Sequence, residues 1–113
     1  MGRMILAFFC VAALHAQTTA PAGNAQKGKQ LFQNYGCYQC HGREAQGGAG
    51  TGPRLAPKPI PWAQLEKYVR QPGGQMPPYT KKVVSDEELG DIYAFLSAQP
   101  QPPPAKNIPL LNN

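Results

Sequence analysis

Cys37-Tyr38-Gln39-Cys40-His41 sets two thiols three positions apart and puts an imidazole directly after the second. Cys-x-x-Cys-His is the pattern on which a c-type haem is attached: each thiol adds across one vinyl group of a single porphyrin, and the adjacent imidazole lies under the iron. A group bonded at two points cannot leave, so a chain with this pattern has to fold around a rigid apolar disc. Two other readings of the five residues fit less well. A structural zinc site needs four ligands, usually completed by a second Cys or His pair, and the chain has no such pair. A thioredoxin-like motif belongs at a strand-to-helix junction, whereas the stretch after His41 is rich in glycine and proline.

The 113 residues make one small domain, so any chemistry has to fit a single core. Gly2-Arg3 gives a positive start, Met4 to Leu14 is apolar, and Leu14-His15-Ala16 ends in a small residue suited to a signal peptidase. Residues 1–16 therefore read as a cleavable signal peptide, cut after Ala16, which implies a periplasmic or otherwise exported protein. The apolar run is about half of the ~20 residues a membrane span requires, so no transmembrane span is expected in the mature chain. Lipid attachment at Cys10 is disfavoured by bulky Phe8-Phe9 before it.

Cleavage removes Met1, Met4, Cys10 and His15 and leaves Cys37, Cys40, His41 and Met76 as the whole Cys, His and Met content. Each residue type that c-haem chemistry uses is then present in the minimum number, and no thiol is spare for a disulfide. Losing Arg3 takes the net charge from +5 to about +4, ten basic against six acidic residues. The bases are scattered, which argues against nucleic acid as a partner.

In chain order, residues 17–23 are small and polar and read as a flexible lead-in. Asn24 is a candidate N-cap, after which Ala25, Gly28, Leu31, Phe32 and Tyr35 recur at helical spacing as far as Tyr35-Gly36. Gly28 is either a weak helix position or the point of a close helix crossing. Gly42 to Pro61 has neither helical nor strand period. A loop that long argues against a compact domain unless a cofactor gives it a surface to pack on. Pro61 suits the first position of a second helix whose apolar face is Trp62, Leu65, Tyr68 and Val69, ending at Gln71-Pro72. Trp62 reads as core. Ser85 and Glu88 form a capping box that opens the last helix, with Leu89, Ile92, Tyr93 and Leu96 as its stripe and Phe95 widening it. The acidic cluster Asp86-Glu87-Glu88 is a start signal, not a catalytic group. From residue 99 the chain is proline-rich and reads as a mobile tail to residue 113.

Met76 lies between Gly73-Gly74 and Pro77-Pro78. Proline after it pushes Met76 towards extended backbone and the glycines permit a close approach, as in a loop that holds one thioether at a fixed point. With a haem in place and no second Met in the mature chain, Met76 is the candidate for the sixth iron position.

Across residues 24–98 the chain resembles the class I monohaem c-type cytochromes, closer to the small bacterial forms than to the mitochondrial type. The likeness is carried by Gly28 and Phe32 ahead of the Cys37 to His41 motif, then Gly52-Pro53-Arg54-Leu55, Met76-Pro77, Ile92 and Phe95. It implies an all-α cytochrome c fold, with about three main helices and irregular loops around one covalent haem c. Gly28, Phe32, Ile92 and Phe95 would lie at the crossing of the first and last helices. The Pro53 carbonyl would orient the outer nitrogen of His41.

With His41 and Met76 on opposite sides, the iron has no open position. The expected function is then one-electron transfer in an extracytoplasmic redox chain, not enzymatic turnover. The alternatives are a cytochrome subunit of a dehydrogenase complex, and a haem enzyme or gas sensor if Met76 does not stay on the iron. Partners would be redox proteins such as an acidic dehydrogenase, reductase or oxidase. By the resemblance, Lys27, Lys29, Lys81 and Lys82 would flank the exposed haem edge and steer them, the alternative being ordinary solubilising charge.

Overall fold

The computed structural model describes residues 19–111. The signal peptide read over residues 1–16 lies outside the described residues, as do Gln17 and Thr18 of the lead-in. Four α-helices follow in order: α1 (Ala25–Asn34), α2 (Tyr38–His41), α3 (Trp62–Arg70) and α4 (Asp86–Ala98). Three are longer than two turns, as expected, and the fold is all-α. Among the described residues the only β-pairing is one isolated bridge between Gly48 and Gly52.

The start of α1 is fixed from within and from across the molecule. Asn24 has extended backbone, and its side chain accepts from the Lys27 N–H at 2.9 Å. The Asn24 N–H in turn donates to Oδ1 of Asp91 at 2.7 Å, 67 residues away on α4. At the other end Tyr35 and Gly36 donate to the carbonyls of Leu31 and Gln33, and Gly36 takes a φ of 78° that only glycine adopts cheaply. The next turn is α2, a single turn of helix not expected from the sequence, which carries Cys40 and His41 directly out of that reversal.

α1 and α4 pack on each other through the residues the resemblance picked out. Gly28 is buried, and a Cβ built on it would overlap the backbone carbonyl of Asp91. Of the two readings of Gly28, the close crossing is therefore the one the fold uses. One turn on, the rings of Phe32 and Phe95 meet at 5.4 Å with a 53° tilt, both almost fully buried, and Ile92 is buried beside them.

Pro61 differs by one position from its expected place. Its ψ of 142° turns it out of the helix, so it is the N-cap of α3, with its carbonyl accepting from Gln64 and Leu65. The fixed φ of proline suits either position, and ψ decides. Trp62 is core, as expected: it is buried and meets Tyr93 of α4 edge-on at 5.6 Å. α4 opens with the full capping box between Ser85 and Glu88. After α4 the chain is extended at Gln99 and at Pro104, then makes two 3-10 turns, Ala105–Asn107 and Pro109–Leu111.

The long loop between α2 and α3 is organised by Ala45. It is completely buried, holds a left-handed φ of 55°, and its carbonyl accepts from both Leu55 (2.9 Å) and Ala56 (3.1 Å). A non-glycine residue is uncommon there. Here the left-handed turn puts the methyl inside the core while the carbonyl folds the far end of the loop back towards α2.

Candidate functional site

Between α1, α3, α4 and the loops lies a cavity with about 450 Å³ of free space, part of it open to solvent. Its wall is almost wholly apolar. Phe32 of α1, Leu65 and Val69 of α3, and Leu89, Ile92 and Leu96 of α4 contribute from the helices; Leu55, Tyr79 and Val84 contribute from the loops. The remaining three lining residues are Cys37, His41 and Met76. The chain thus brings to one apolar cavity three of the four residues singled out from the sequence, from positions as far apart as Cys37 and Met76. Cys40, the fourth, is at the surface beside it.

His41 is buried, and its Nδ1 lies 2.9 Å from the carbonyl oxygen of Pro53. A carbonyl can only accept, so Nδ1 carries a proton, which leaves Nε2 as the nitrogen able to offer a lone pair. The close approach behind this contact depends on Gly52, where a Cβ would come within 2.8 Å of the Cys40 carbonyl and 3.1 Å of Nδ1. Thr51 secures the same loop by donating from Oγ1 to the Cys40 carbonyl at 2.9 Å. An imidazole held in one tautomer and one orientation, with its free nitrogen on an apolar cavity, is suited to bind a metal-centred group.

Burial pushes the Cys37 thiol up to about 11, the opposite of the depressed value that makes a cysteine a redox nucleophile. Among the described residues no group of three or more His, Cys, Asp or Glu gathers that could hold a bare metal ion. The donor set therefore fits a large planar group that brings its own iron better than it fits a thiol-redox or zinc centre. Met76 is half-buried in non-helical backbone, after a turn in which Gly74 takes a φ of 65°.

A family model described as "Cytochrome C oxidase, cbb3-type, subunit III" matches residues 23–96. The chain belongs to the cytochrome c family. Two curated cytochromes are similar to it. The 4-cresol dehydrogenase [hydroxylating] cytochrome c subunit of Pseudomonas putida is 34% identical over 92 residues, covering 81% of this chain and 74% of the relative. The menaquinol:cytochrome c reductase cytochrome c subunit of Bacillus subtilis (strain 168) is 32% identical over 71 residues, covering 63% of this chain and 27% of the relative. No solved structure matches at a significant level. As a member of this family the cytochrome binds haem c and transfers electrons, and the apolar cavity with its nitrogen and sulfur donors is where its residues fit that group.

Three polar residues that line or support the site carry no signal in the sequence. Asp91 is buried and accepts from Asn24 N–H while pairing with Lys27 at 3.0 Å; those partners, the backbone one first, hold its carboxyl below the usual range. Arg70 ties α3 to the segment after Met76. Tyr79 lines the cavity and donates from its hydroxyl to the Tyr35 carbonyl at 2.7 Å. Each of these is set by contacts between distant segments, which leave no local pattern.

The lysines expected to steer a partner are mostly engaged within the chain. Lys27 pairs with Asp91, Lys29 with Glu44 at 2.7 Å, and Lys81 with both Asp86 at 2.8 Å and Glu66 at 3.4 Å. Lys82 alone of the four has no carboxylate partner among the described residues. Local pairing offsets part of the field that four free lysines would project. Among the described residues no helix is long and apolar enough to cross a membrane.

Proposed function

We propose that this cytochrome holds one haem covalently through Cys37 and Cys40, with His41 and Met76 as the two axial ligands, and carries single electrons outside the cytoplasm. The observation that carries the reading is the convergence of Cys37, His41 and Met76 on one apolar cavity, with Nδ1 of His41 engaged by Pro53 and Nε2 left free. When bound, haem c supplies a one-electron iron couple. His41 would give a σ-donor made more basic by its contact with Pro53. Met76 would close the remaining position and exclude small molecules from it. The apolar wall and the neutral thioether both favour the less charged ferrous state, which raises the potential. Cys40 is at the surface, so one edge of a group bonded to it would lie near solvent, a short way out for an electron.

Residues 24–98 form the electron-transfer domain in this reading, preceded by a signal peptide over 1–16 and followed by a proline-rich tail. The named relatives favour a place beside a dehydrogenase or reductase as the source or sink of electrons, either as a bound subunit or as a free carrier. Lysines engaged by carboxylates within the chain suit a persistent interface better than a long-range electrostatic encounter.

The test is to produce the protein in a host with haem-attachment machinery. One haem that stays with the chain after denaturation, with a sharp low-spin spectrum, is the expected result. Met76→Ala should keep the attached haem, convert the spectrum to one with an open or weakly ligated sixth position, and lower the potential. An unchanged spectrum and potential in Met76→Ala would assign the sixth position to another residue.

A further inference from the structure

Met76 is held unequally from its two sides. Before it, Gly73, Gly74 and Gln75 are exposed, and the one side-chain tie on that side among the described residues is a long contact from the Tyr68 hydroxyl to the Gly73 carbonyl at 3.4 Å. After it, Pro77 and Pro78 have restricted φ and lead straight to Tyr79, which is fixed at every polar atom. Tyr79 N–H donates to the Val69 carbonyl at 3.0 Å, its hydroxyl donates to the Tyr35 carbonyl, and its own carbonyl accepts from Nη1 of Arg70 at 2.9 Å.

Arg70, the last residue of α3, does more than hold that carbonyl. The same Nη1 donates to the carbonyl of Val84 at 2.7 Å, and Nη2 donates to Oδ1 of Asp86 at 2.8 Å. Its side chain is only 13% exposed, and Nε is buried with no partner. Leaving a buried N–H unpaired is costly. The fork is evidently oriented for its three acceptors at the expense of that atom. One planar guanidinium therefore gathers both ends of the loop from Tyr79 to Val84 and the start of α4 onto α3. A lysine ammonium, a single point on a flexible stem, cannot span all three.

We propose that Arg70 is the positioning residue for Met76: it anchors the segment downstream of the thioether so that, through the rigid Pro77-Pro78 link, the sulfur stays on the cavity. This rests on the reading of Met76 as an axial ligand. It is separable from a merely structural role for Arg70, which would change stability without changing how easily the thioether is displaced. It is also separable from a charge effect, because Asp86 neutralises the guanidinium and Arg70→Lys keeps the charge.

The experiment uses purified holoprotein of the native chain, Arg70→Lys, Arg70→Gln, Asp86→Asn and Met76→Ala. Three properties are read: the sulfur-to-iron charge-transfer absorption of the ferric form, the affinity for added imidazole, and the melting temperature. We expect Arg70→Lys and Arg70→Gln to retain covalent haem, to lose intensity in the sulfur band, and to bind imidazole about tenfold more tightly, as loss of a charge-assisted clamp implies. Asp86→Asn, which leaves both carbonyl contacts of Arg70 in place, should bind imidazole as the native protein does. Should Arg70→Gln not accumulate as folded holoprotein, Arg70→Lys decides alone. If the Arg70 variants melt lower yet keep the native band and imidazole affinity, the clamp is structural only and the inference is overturned. A different outcome marks failure of the underlying reading: a native protein without the sulfur band, or Met76→Ala with native imidazole affinity.

Discussion

At Gly28 two opposing effects of a methyl group meet, and their sizes decide the sign. Alanine is the better helix former by up to about 1 kcal/mol. Against that, the new Cβ would overlap the Asp91 carbonyl, which is backbone of α4 and cannot rotate away. Overpacking of this kind typically costs about 1–3 kcal/mol, and more where the neighbour is rigid. We expect Gly28→Ala to lower the melting temperature of the holoprotein by about 10 °C, given roughly 4–8 °C per kcal/mol for a domain of this size; a melt at or above the native temperature would show that the helices can separate cheaply. The carboxylate on the other side of that crossing has a pH signature. The Asn24 N–H and Lys27 hold the carboxyl of Asp91 below the usual carboxylate range. A group whose pKa is depressed on folding contributes stability that is complete above its unfolded value, about 3.9, and lost as pH falls through the folded value. Asp91→Asn still offers an oxygen to Asn24 but does not titrate. It should therefore melt lower than the native protein near neutrality, with the gap narrowing as pH is taken from about 5 to about 3. Two melting curves that stay parallel over that interval would remove Asp91 from the acid response.

At the scale of elements, the start of α4 ties together three parts of the chain. Glu88 completes the capping box by accepting from Ser85 N–H at 2.9 Å, and its other oxygen accepts from the Tyr35 hydroxyl at 3.0 Å; Tyr35 is in turn the C-cap of α1 and the acceptor for Tyr79. Ser85→Ala removes one cap contact and should cost about 1 kcal/mol. Glu88→Ala removes two contacts and a link between helices, so it should cost more than Ser85→Ala in denaturant titrations, while Glu88→Gln, which keeps one acceptor oxygen and puts a donor NH2 in place of the other, should fall between. Equal losses for Ser85→Ala and Glu88→Ala would mean that the Tyr35 contact contributes nothing. The capping box was legible in the sequence because it is local: Ser85 and Glu88 are three residues apart, and so are Asn24 and the N–H it caps. The haem motif and the Met-Pro loop were legible for the same reason. The clamps made by Asp91, Arg70 and Tyr79 were not, since their partners are as much as 67 residues away and depend on how the helices cross. The single turn of α2 was also missed: five residues between two glycines have no apolar period to read, and Tyr38 to His41 are helical because the turns before and after hold them so.

For the molecule as a whole, the question is what remains when the cavity has nothing to enclose. The long helices have only 10, 9 and 13 residues, and isolated helices of that length are marginal in water. α1 and α4 support each other directly through Gly28, Phe32, Ile92 and Phe95. α3 has less to rest on: its inner residues Leu65 and Val69 face the cavity, and its other ties include Trp62 on Tyr93, the Val69 carbonyl on Tyr79, Glu66 on Lys81 and the fork of Arg70. The loop from residue 42 to 61 is in the same position, with only Ala45, Leu55 and Ala56 to anchor it inside. Small domains bury a modest fraction of their surface and rarely tolerate loss of a shared packing partner. In the double variant Cys37→Ala with Cys40→Ala, the two thiols that would bond the group are gone while every other core residue is kept. We expect this protein to retain part of its helical signal, from α1 and α4, but to lose the near-ultraviolet signal of Trp62 packed on Tyr93 and to melt without a cooperative transition. A sharp calorimetric transition with native-like aromatic dichroism would show that the three helices close on their own, and the cavity would then be a preformed pocket and not a core completed by its contents.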